Sequence, residues 1–262
     1  MSGDIVLKDV AVEFRSRRLA VRALDAVSLA VPAKSFVALV GPSGCGKSTV
    51  LNMIAGLLTP SAGAVFYDGA PVPRPNKRVG YMTQKDTLLP WRTVADNIGI
   101  ALELKCRAES RAERRERIAE MMALVGLTGF ERHYPGELSG GMRKRAALAR
   151  MLIYEPETLL LDEPFGALDA QLKLIMQAEL LRLTQSGGMT VVFVTHDLSE
   201  AITLADQVAV FTSRPGRIRA VRSIELPRPR DAVSIRFTPE FAALYEDLWN
   251  ELKDEVGRGT EA

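Results

Sequence analysis

The sequence has few of the features that mark secreted, membrane-spanning or nucleic-acid-binding proteins. It contains only two cysteines among 262 residues, Cys45 and Cys106, so we expect a reduced, cytosolic protein without a disulfide framework. No stretch approaches the ~20 uncharged apolar residues that a membrane span needs, and the first residues do not resemble a signal peptide. The 34 basic and 32 acidic residues leave a net charge of +2, which gives no argument for nucleic acid as a partner.

The apolar residues that are present predict a mixed α/β core. Short, wholly apolar runs, which are typical of buried parallel strands, alternate with segments of helical periodicity. The predicted strands are residues 5–14, 26–31, 36–40, 79–83, 158–161, 190–195, 208–211 and 218–226. Helices are predicted for 48–58, much of 93–151, 168 to about 184, and 239–256.

A glycine-rich loop follows the apolar run 36–40 and precedes a predicted helix. It reads Gly41-Pro42-Ser43-Gly44-Cys45-Gly46-Lys47-Ser48-Thr49, which matches G-x-x-x-x-G-K-[ST]. Backbone N–H groups of such a loop bind phosphate oxygens at the helix N-terminus. Lys47 is expected to reach the terminal phosphates and Ser48 to bind Mg²⁺. We call residues 41–49 the phosphate loop.

Two adjacent carboxylates, Asp162 and Glu163, end the apolar strand 158–161. Consecutive strand residues point to opposite faces, so the two carboxylates are predicted to serve different purposes. One would bind a metal ion and the other would face a water molecule. Together with the phosphate loop, this pair predicts hydrolysis of a nucleoside triphosphate.

Four motifs in one order give the sequence a family resemblance. They are the phosphate loop, Leu138-Ser139-Gly140-Gly141-Met142, Asp162-Glu163, and Thr195-His196-Asp197. In order and spacing the chain resembles the ATP-binding cassette (ABC) ATPases over nearly its whole length. The resemblance implies an α/β P-loop NTPase fold with a mainly parallel sheet core, an N-terminal antiparallel β subdomain and an inserted helical subdomain. We expect a single domain, 1–262, with residues 1–86 and 156–262 as the ATP-binding core and 87–155 as the helical subdomain.

The resemblance also implies roles for the matching residues, with ATP and Mg²⁺ as cofactors. The residues implied as catalytic are Glu163, His196 and Gln84. Glu163 would be the general base, and His196 and Gln84 would lie beside the γ-phosphate and the water. Asp162, Ser48 and Gln84 are implied as Mg²⁺ ligands. The nucleotide-binding set is Phe14, Gly41, Pro42, Ser43, Gly44, Cys45, Gly46, Lys47, Ser48 and Thr49, with Phe14 stacked on adenine. An aromatic residue that ends a strand is usually a core residue, which is the alternative for Phe14.

A second copy of the chain is the first implied partner. In the family, two subunits enclose two ATP molecules head to tail. The residues expected to act across that dimer are Ser139, Gly140, Gly141, Met142 and Asp169. The N–H groups at the start of the helix that follows Ser139 would form an anion site there. Met142 stands where the family commonly has Gln, and Lys34-Ser35 where it usually has Gly-Glu.

Three features together resemble the nitrate, sulfonate and taurine importer branch of the family: Leu88-Leu89-Pro90-Trp91, Met142, and Ser213-Arg214-Pro215-Gly216-Arg217. This branch implies an ATPase subunit bound peripherally to the cytoplasmic side of the inner membrane. Its partners would be integral permease subunits and, indirectly, a solute-binding protein. The segment around Trp91 would contact the permease, or else pack locally within the insertion.

Two other function classes use the same phosphate loop. One is a soluble, non-transport ABC ATPase that acts on ribosomes or DNA. Such proteins usually have two cassettes or a long coiled-coil arm, and neither is predicted here. The other is a phosphotransferase, which has no need for the Leu138–Met142 motif.

Overall fold

The computed structural model of the chain describes residues 3–15, 20–85, 87–104, 110–166 and 168–259. Within these ranges the chain forms ten strands and seven α-helices. The strands are β1 (Ile5–Arg15), β2 (Ala20–Val31), β3 (Phe36–Val40), β4 (Ala62–Tyr67), β5 (Ala70–Pro71), β6 (Val79–Met82), β7 (Thr158–Asp162), β8 (Thr190–Val194), β9 (Gln207–Phe211) and β10 (Ile218–Ser223). The helices are α1 (Lys47–Ile54), α2 (Val94–Leu104), α3 (Arg111–Leu124), α4 (Gly140–Leu152), α5 (Ala170–Gly187), α6 (Leu198–Leu204) and α7 (Pro239–Gly259).

Two sheets organise these elements. The larger has the order β10-β9-β3-β8-β7-β6, in which β10 is antiparallel to β9 and the other neighbours are parallel. The smaller sheet is antiparallel, with the order β2-β1-β4-β5. The helices α2, α3 and α4 lie between β6 and β7 in the chain. This confirms the predicted α/β fold, with its mainly parallel core, antiparallel β unit and helical insertion.

Strand β3 shows why the predicted buried strands are apolar throughout. All five of its residues are buried. Phe36, Ala38 and Val40 pack into one core with the helical insertion and α6. Val37 and Leu39 pack into a second core with the antiparallel sheet and α1. Because both faces of the strand are covered, no polar alternation is required.

The helical segments expose the residues expected to be solvated. The mixed Arg and Glu residues at helical spacing over residues 107–120 predict a solvated helix face. In α3 only Met122 is fully buried, which confirms this for residues 110–120; residues 107–109 lie outside the described residues. In α7, Phe241, Leu248 and Leu252 are buried against the domain itself. None of the helices in the described ranges is both long and apolar enough to cross a membrane.

Several element ends differ from the sequence prediction. The first helix ends at Ile54 instead of residue 58, because the N–H groups of Leu57 and Leu58 both bond to the carbonyl of Asn52 in a turn. β2 begins at residue 20 instead of 26, and β10 ends at 223 instead of 226. The fifth helix begins at 170 because Asp169 is its N-cap, accepting a hydrogen bond from Leu172 N at 2.9 Å.

Candidate active site

The parallel sheet brings the predicted catalytic segments to one edge. β8 lies between β3 and β7, and β6 lies beside β7. The carboxyl ends of parallel strands meet at the same edge, where ligands bind in open α/β sheets. The phosphate loop follows β3, Gln84 follows β6, Asp162 ends β7 and is followed by Glu163, and His196 follows β8. Segments more than a hundred residues apart in the chain are therefore neighbours in the structure.

A cavity of about 440 Å³ opens at this edge. It is lined by ten of the predicted site residues: Phe14, Ser43, Gly44, Gly46, Lys47, Ser48, Thr49, Gln84, Asp162 and Glu163. Its volume lies within the range typical of small-molecule sites. Phe14 is 48% exposed, so it is not a core residue and its ring is available at the cavity mouth. Val21, Ala23, Val194 and Arg214 complete the lining, and the sequence did not single them out for it.

The phosphate loop wraps around the start of α1. Gly46 is the N-cap of that helix with φ +105°, and a Cβ at this position would lie 2.5 Å from Leu24 Cδ2. Only glycine satisfies both the conformation and the space. The Lys47 ammonium donates to the carbonyls of Gly41 at 2.7 Å and Pro42 at 2.8 Å. The Cys45 side chain is buried, so Cys45 contributes to the phosphate loop through its backbone. Cys106 lies outside the described residues.

The two carboxylates after β7 occupy different environments. Asp162 is 4% exposed, and burial raises the pKa of its carboxyl, while a hydrogen bond from Ser48 and the charges of Lys47 and Lys144 act in the opposite direction. Glu163 lies just beyond the strand in a left-handed conformation with φ +48°, which is uncommon for a residue with a side chain. The turn points its carboxylate towards the residues that follow the neighbouring strands.

Gln84 and His196 flank the Glu163 carboxylate. Gln84 Nε2 donates to Oε2 at 3.3 Å, and His196 Nδ1 lies 3.4 Å from Oε1. Glu163 thus contacts both of the other side chains that the resemblance implies as catalytic. The His196 side chain is 66% exposed, whereas that of Glu163 is 23% exposed.

The donors near the phosphate loop suit a magnesium ion. Mg²⁺ prefers oxygen ligands and is usually bound by one or two carboxylates together with substrate phosphates. The Asp162 carboxylate beside the Ser48 hydroxyl provides such a pair. In the part of the chain that the structure describes, no group of three or more His, Cys, Asp or Glu side chains forms a metal cage. The donors fit a metal ion that arrives with a phosphate ligand.

The residues predicted to act across the dimer lie at the starts of two helices, outside the cavity. Ser139 is the N-cap of α4, and its hydroxyl accepts a hydrogen bond from Met142 N at 3.2 Å. Gly140 and Gly141 form the exposed to half-buried first turn, whose N–H groups are free of intrahelical partners by geometry. Asp169 caps α5 in the same way. Neither of these helix ends lines the cavity of its own subunit.

Two lysines connect the site to neighbouring helices, and sequence reasoning missed both. Lys144 of α4 is buried and donates a short hydrogen bond to the carbonyl of Gln84. Lys173 of α5 contacts Asp197 Oδ2 at 2.7 Å and Glu200 Oε1 at 2.6 Å, next to His196. Each lies on a predicted helix among other charged or polar residues, where nothing in the sequence separates an inward-facing lysine from a solvated one.

Comparison with known proteins gives consistent matches. The family model described as ABC transporter matches residues 24–166. A taurine import ATP-binding protein of Rhizobium johnstonii is 45% identical over 87% of this chain and 88% of its own length. A nitrate import ATP-binding protein of Synechococcus elongatus is 44% identical over 89% of this chain, which spans about a third (36%) of that longer protein. A solved ATP-binding cassette, in a dimeric post-hydrolysis state bound to ADP and Pi, is 31% identical with a TM-score of 0.77, covering 85% of this chain and all of that one.

Proposed function

Because the chain belongs to the ABC transporter family, we propose that it hydrolyses ATP to drive uptake of a small anion through a separate permease. ATP hydrolysis as a subunit of an importer is the function that the family assigns to it. That the transported solute is a small anion is the more specific part of the proposal. Support for it comes from the relatives, whose names specify nitrate and taurine import. The substrate class would therefore be a small nitrogen oxyanion or sulfonate.

One observation carries the proposed chemistry: the Glu163 carboxylate lies between Gln84 and His196 at a cavity that the phosphate loop also lines. In the proposed roles Glu163 orients and deprotonates the attacking water as general base. Gln84 and His196 position that water and the γ-phosphate. Asp162, Ser48 and Gln84 would bind Mg²⁺, which supplies positive charge to the phosphates when bound.

The rest of the nucleotide is proposed to contact the phosphate loop and Phe14. Gly41 to Thr49 would enclose the phosphates through backbone N–H groups, the Lys47 ammonium and the hydroxyls. The Phe14 ring would stack on adenine, a contact worth ~1–3 kcal/mol. Its half-exposed position at the cavity mouth supports this role.

A head-to-tail dimer is the proposed active form. The first turn of α4 presents Ser139, Gly140, Gly141 and Met142 away from the cavity of its own subunit, so these residues would meet the γ-phosphate bound by the other copy. Asp169 would contact the partner at the same interface. Residues 1–86 and 156–262 are proposed as the ATP-binding unit and 87–155 as the helical unit. The complex would lie on the cytoplasmic face of the membrane.

The alternative of an ABC ATPase that acts on ribosomes or DNA has less support. The described helices of the insertion have 11, 14 and 13 residues, too short for a coiled-coil arm of several heptads. The chain is nearly neutral overall, which disfavours a nucleic-acid surface.

The substitution Glu163→Gln tests the proposed catalysis. We expect hydrolysis to slow by about 10²–10⁴-fold, the usual contribution of a general base. ATP binding should persist, because the amide keeps the size of the side chain and removes a negative charge near the phosphates. Light scattering should then detect an ATP-bound dimer, which wild type forms only transiently.

The matched control is Glu179→Gln on α5, where Glu179 pairs with exposed Arg182 away from the cavity. It should hydrolyse ATP at the wild-type rate. If Glu163→Gln retains a rate within a few-fold of wild type, Glu163 is not the general base.

A further inference from the structure

The loop at residues 213–217, which we call the clasp, lies directly on the phosphate loop. Gly216 N donates to Ala23 O at 2.9 Å, and Asp25 N donates to Gly216 O at 3.0 Å, so the clasp is paired with β2. A Cβ at Gly216 would lie 1.9 Å from the carbonyl oxygen of Cys45. No side chain fits between the clasp and the phosphate loop at this point. The clasp therefore joins β2 to the phosphate loop by backbone contact.

Arg214 of the clasp contacts the phosphate loop through its side chain. Its Nε and Nη2 atoms donate to the same acceptor, Gly44 O, at 3.2 and 3.1 Å, and hydrogen bonds from a charged donor are stronger than neutral ones. Gly44 O and the N–H of Cys45 belong to one planar trans peptide and point in opposite directions. The Cys45 N–H donates to Pro42 O at 3.4 Å within the loop, so Arg214 holds the carbonyl side of a peptide whose N–H side is bonded across the phosphate loop. Arg214 also lines the cavity itself.

The other side of the clasp is bonded to α7. Glu255 accepts hydrogen bonds from Ser213 N at 2.8 Å and Ser213 Oγ at 2.9 Å, and pairs with Arg219 of β10 at 3.2 Å. Its side chain is only 5% exposed, so this carboxylate depends on those partners. A chain of contacts thus runs from α7 through Glu255, Ser213 and Arg214 to the phosphate loop.

We propose that Arg214 is a positioning residue of the nucleotide site and that α7, through Glu255, sets the affinity for nucleotide. This inference rests on the proposed nucleotide site at the phosphate loop. With the clasp in place, the Gly44–Cys45 peptide is held from both sides, and the phosphate loop keeps its conformation before nucleotide arrives. Displacement of α7 frees Ser213 and Arg214 and lowers affinity without removing any group that takes part in hydrolysis.

Nucleotide affinity of Arg214 variants is the first test. Titration of the full chain with fluorescent ADP and ATP should give about tenfold weaker binding for Arg214→Ala, the loss expected for one charge-assisted hydrogen bond. The kcat at saturating ATP should stay within about threefold, a split that a general loss of structure would not give. Arg214→Lys should restore part of the affinity, since it keeps one charged donor. A dissociation constant within twofold of wild type for Arg214→Ala overturns the inference.

A double-mutant cycle tests the role of α7. Glu255→Ala should also weaken binding, and the Arg214→Ala/Glu255→Ala double variant should bind no more weakly than Arg214→Ala, because the two residues act in series. Additive losses would mean that Glu255 does not act through Arg214. If Glu255→Ala unfolds at the assay temperature, Glu255→Gln takes its place in the same cycle, with a smaller loss expected.

Two controls separate this inference from simpler explanations. Arg222 of β10 pairs with Asp247 and Glu251 of α7. Arg222→Ala removes these two contacts of α7 and should leave nucleotide affinity unchanged. Lys47→Ala tests the nucleotide site itself. Weak binding by Lys47→Ala together with unchanged binding by Arg214→Ala refutes only the role of the clasp. Unchanged binding by both refutes the proposed site.

Discussion

Asp162 and Glu163 illustrate what a residue type and its position can predict. Two adjacent carboxylates at the end of an apolar strand predict two different roles. In the structure Asp162 is buried beside Ser48, while Glu163 lies between Gln84 and His196. No local sequence pattern predicts the left-handed backbone at Glu163. That conformation depends on the hydrogen bond from its N–H to Val194 O of the next strand, a contact only the folded sheet provides.

The buried position of Asp162 predicts an effect on stability. Burial raises its pKa in the folded protein, so at neutral pH the folded state carries a charge that the unfolded state solvates better. As the pH falls through the raised pKa, the folded state takes up the proton first and this destabilisation disappears. Asp162→Asn should therefore raise the melting temperature of the nucleotide-free protein at neutral pH, and the difference should shrink under acidic conditions.

Thermal melts across pH, recorded by circular dichroism, measure this effect. Asp247→Asn on the exposed side of α7 is the control and should show no comparable gain at neutral pH. A lower melting temperature for Asp162→Asn would mean that attraction to Lys47 and Lys144 outweighs burial. ATP hydrolysis should be lost in either case if Asp162 binds Mg²⁺.

At the scale of elements, α4 combines a structural cap with a proposed binding site. Ser139 caps α4 with φ −64° and ψ 162°, and Ser110 caps α3 with nearly the same geometry, φ −66° and ψ 161°. Each hydroxyl accepts a hydrogen bond from the backbone N–H three residues later at 3.2 Å. The two helices thus offer a matched pair in which only one cap belongs to the proposed dimer site.

Ser139→Ala and Ser110→Ala should separate these roles. Each should lower the free energy of unfolding by about 1 kcal/mol, the usual cost of losing an N-cap. Only Ser139→Ala should also slow ATP hydrolysis, by roughly tenfold or more, because it removes a hydroxyl that we propose contacts a phosphate. Denaturant melts and steady-state ATPase assays measure the two quantities. Equal ATPase rates in both variants would exclude Ser139 from the reaction.

For the molecule as a whole, the proposed permease contact lies in the segment around Trp91. Asn97 is fully buried, and its amide bonds to the carbonyls of Leu89, Arg92 and Thr93, each at 3.0 Å. These bonds fix the segment to α2 and leave Trp91 72% exposed. Local packing therefore explains the conformation of this segment but not the exposed indole of Trp91. The exposed indole supports a contact with another protein.

Trp91→Ala tests this contact. We expect ATP hydrolysis by the isolated chain to be unchanged, since the indole contributes little to the fold. Recovery of a multi-spanning protein in a pull-down from membranes should fall sharply, because losing an aromatic contact of ~2 kcal/mol weakens binding about 30-fold. The control is Phe237→Ala, an even more exposed aromatic at 84%, which should leave recovery intact. Co-purified ribosomes without a membrane protein would contradict the transport role.

The sequence by itself determined the class of fold, the phosphate loop, the paired carboxylates and the order of motifs. These depend on local chemistry: apolar runs for buried strands, glycine for a tight loop, and a hydroxyl or carboxylate at a helix start. Only the tertiary structure decided that Glu163 contacts Gln84 and His196, that Lys144 and Lys173 point inward, and that Arg214 contacts the phosphate loop. Those contacts join residues from separate elements, and their geometry comes from sheet order and packing, which no local pattern encodes.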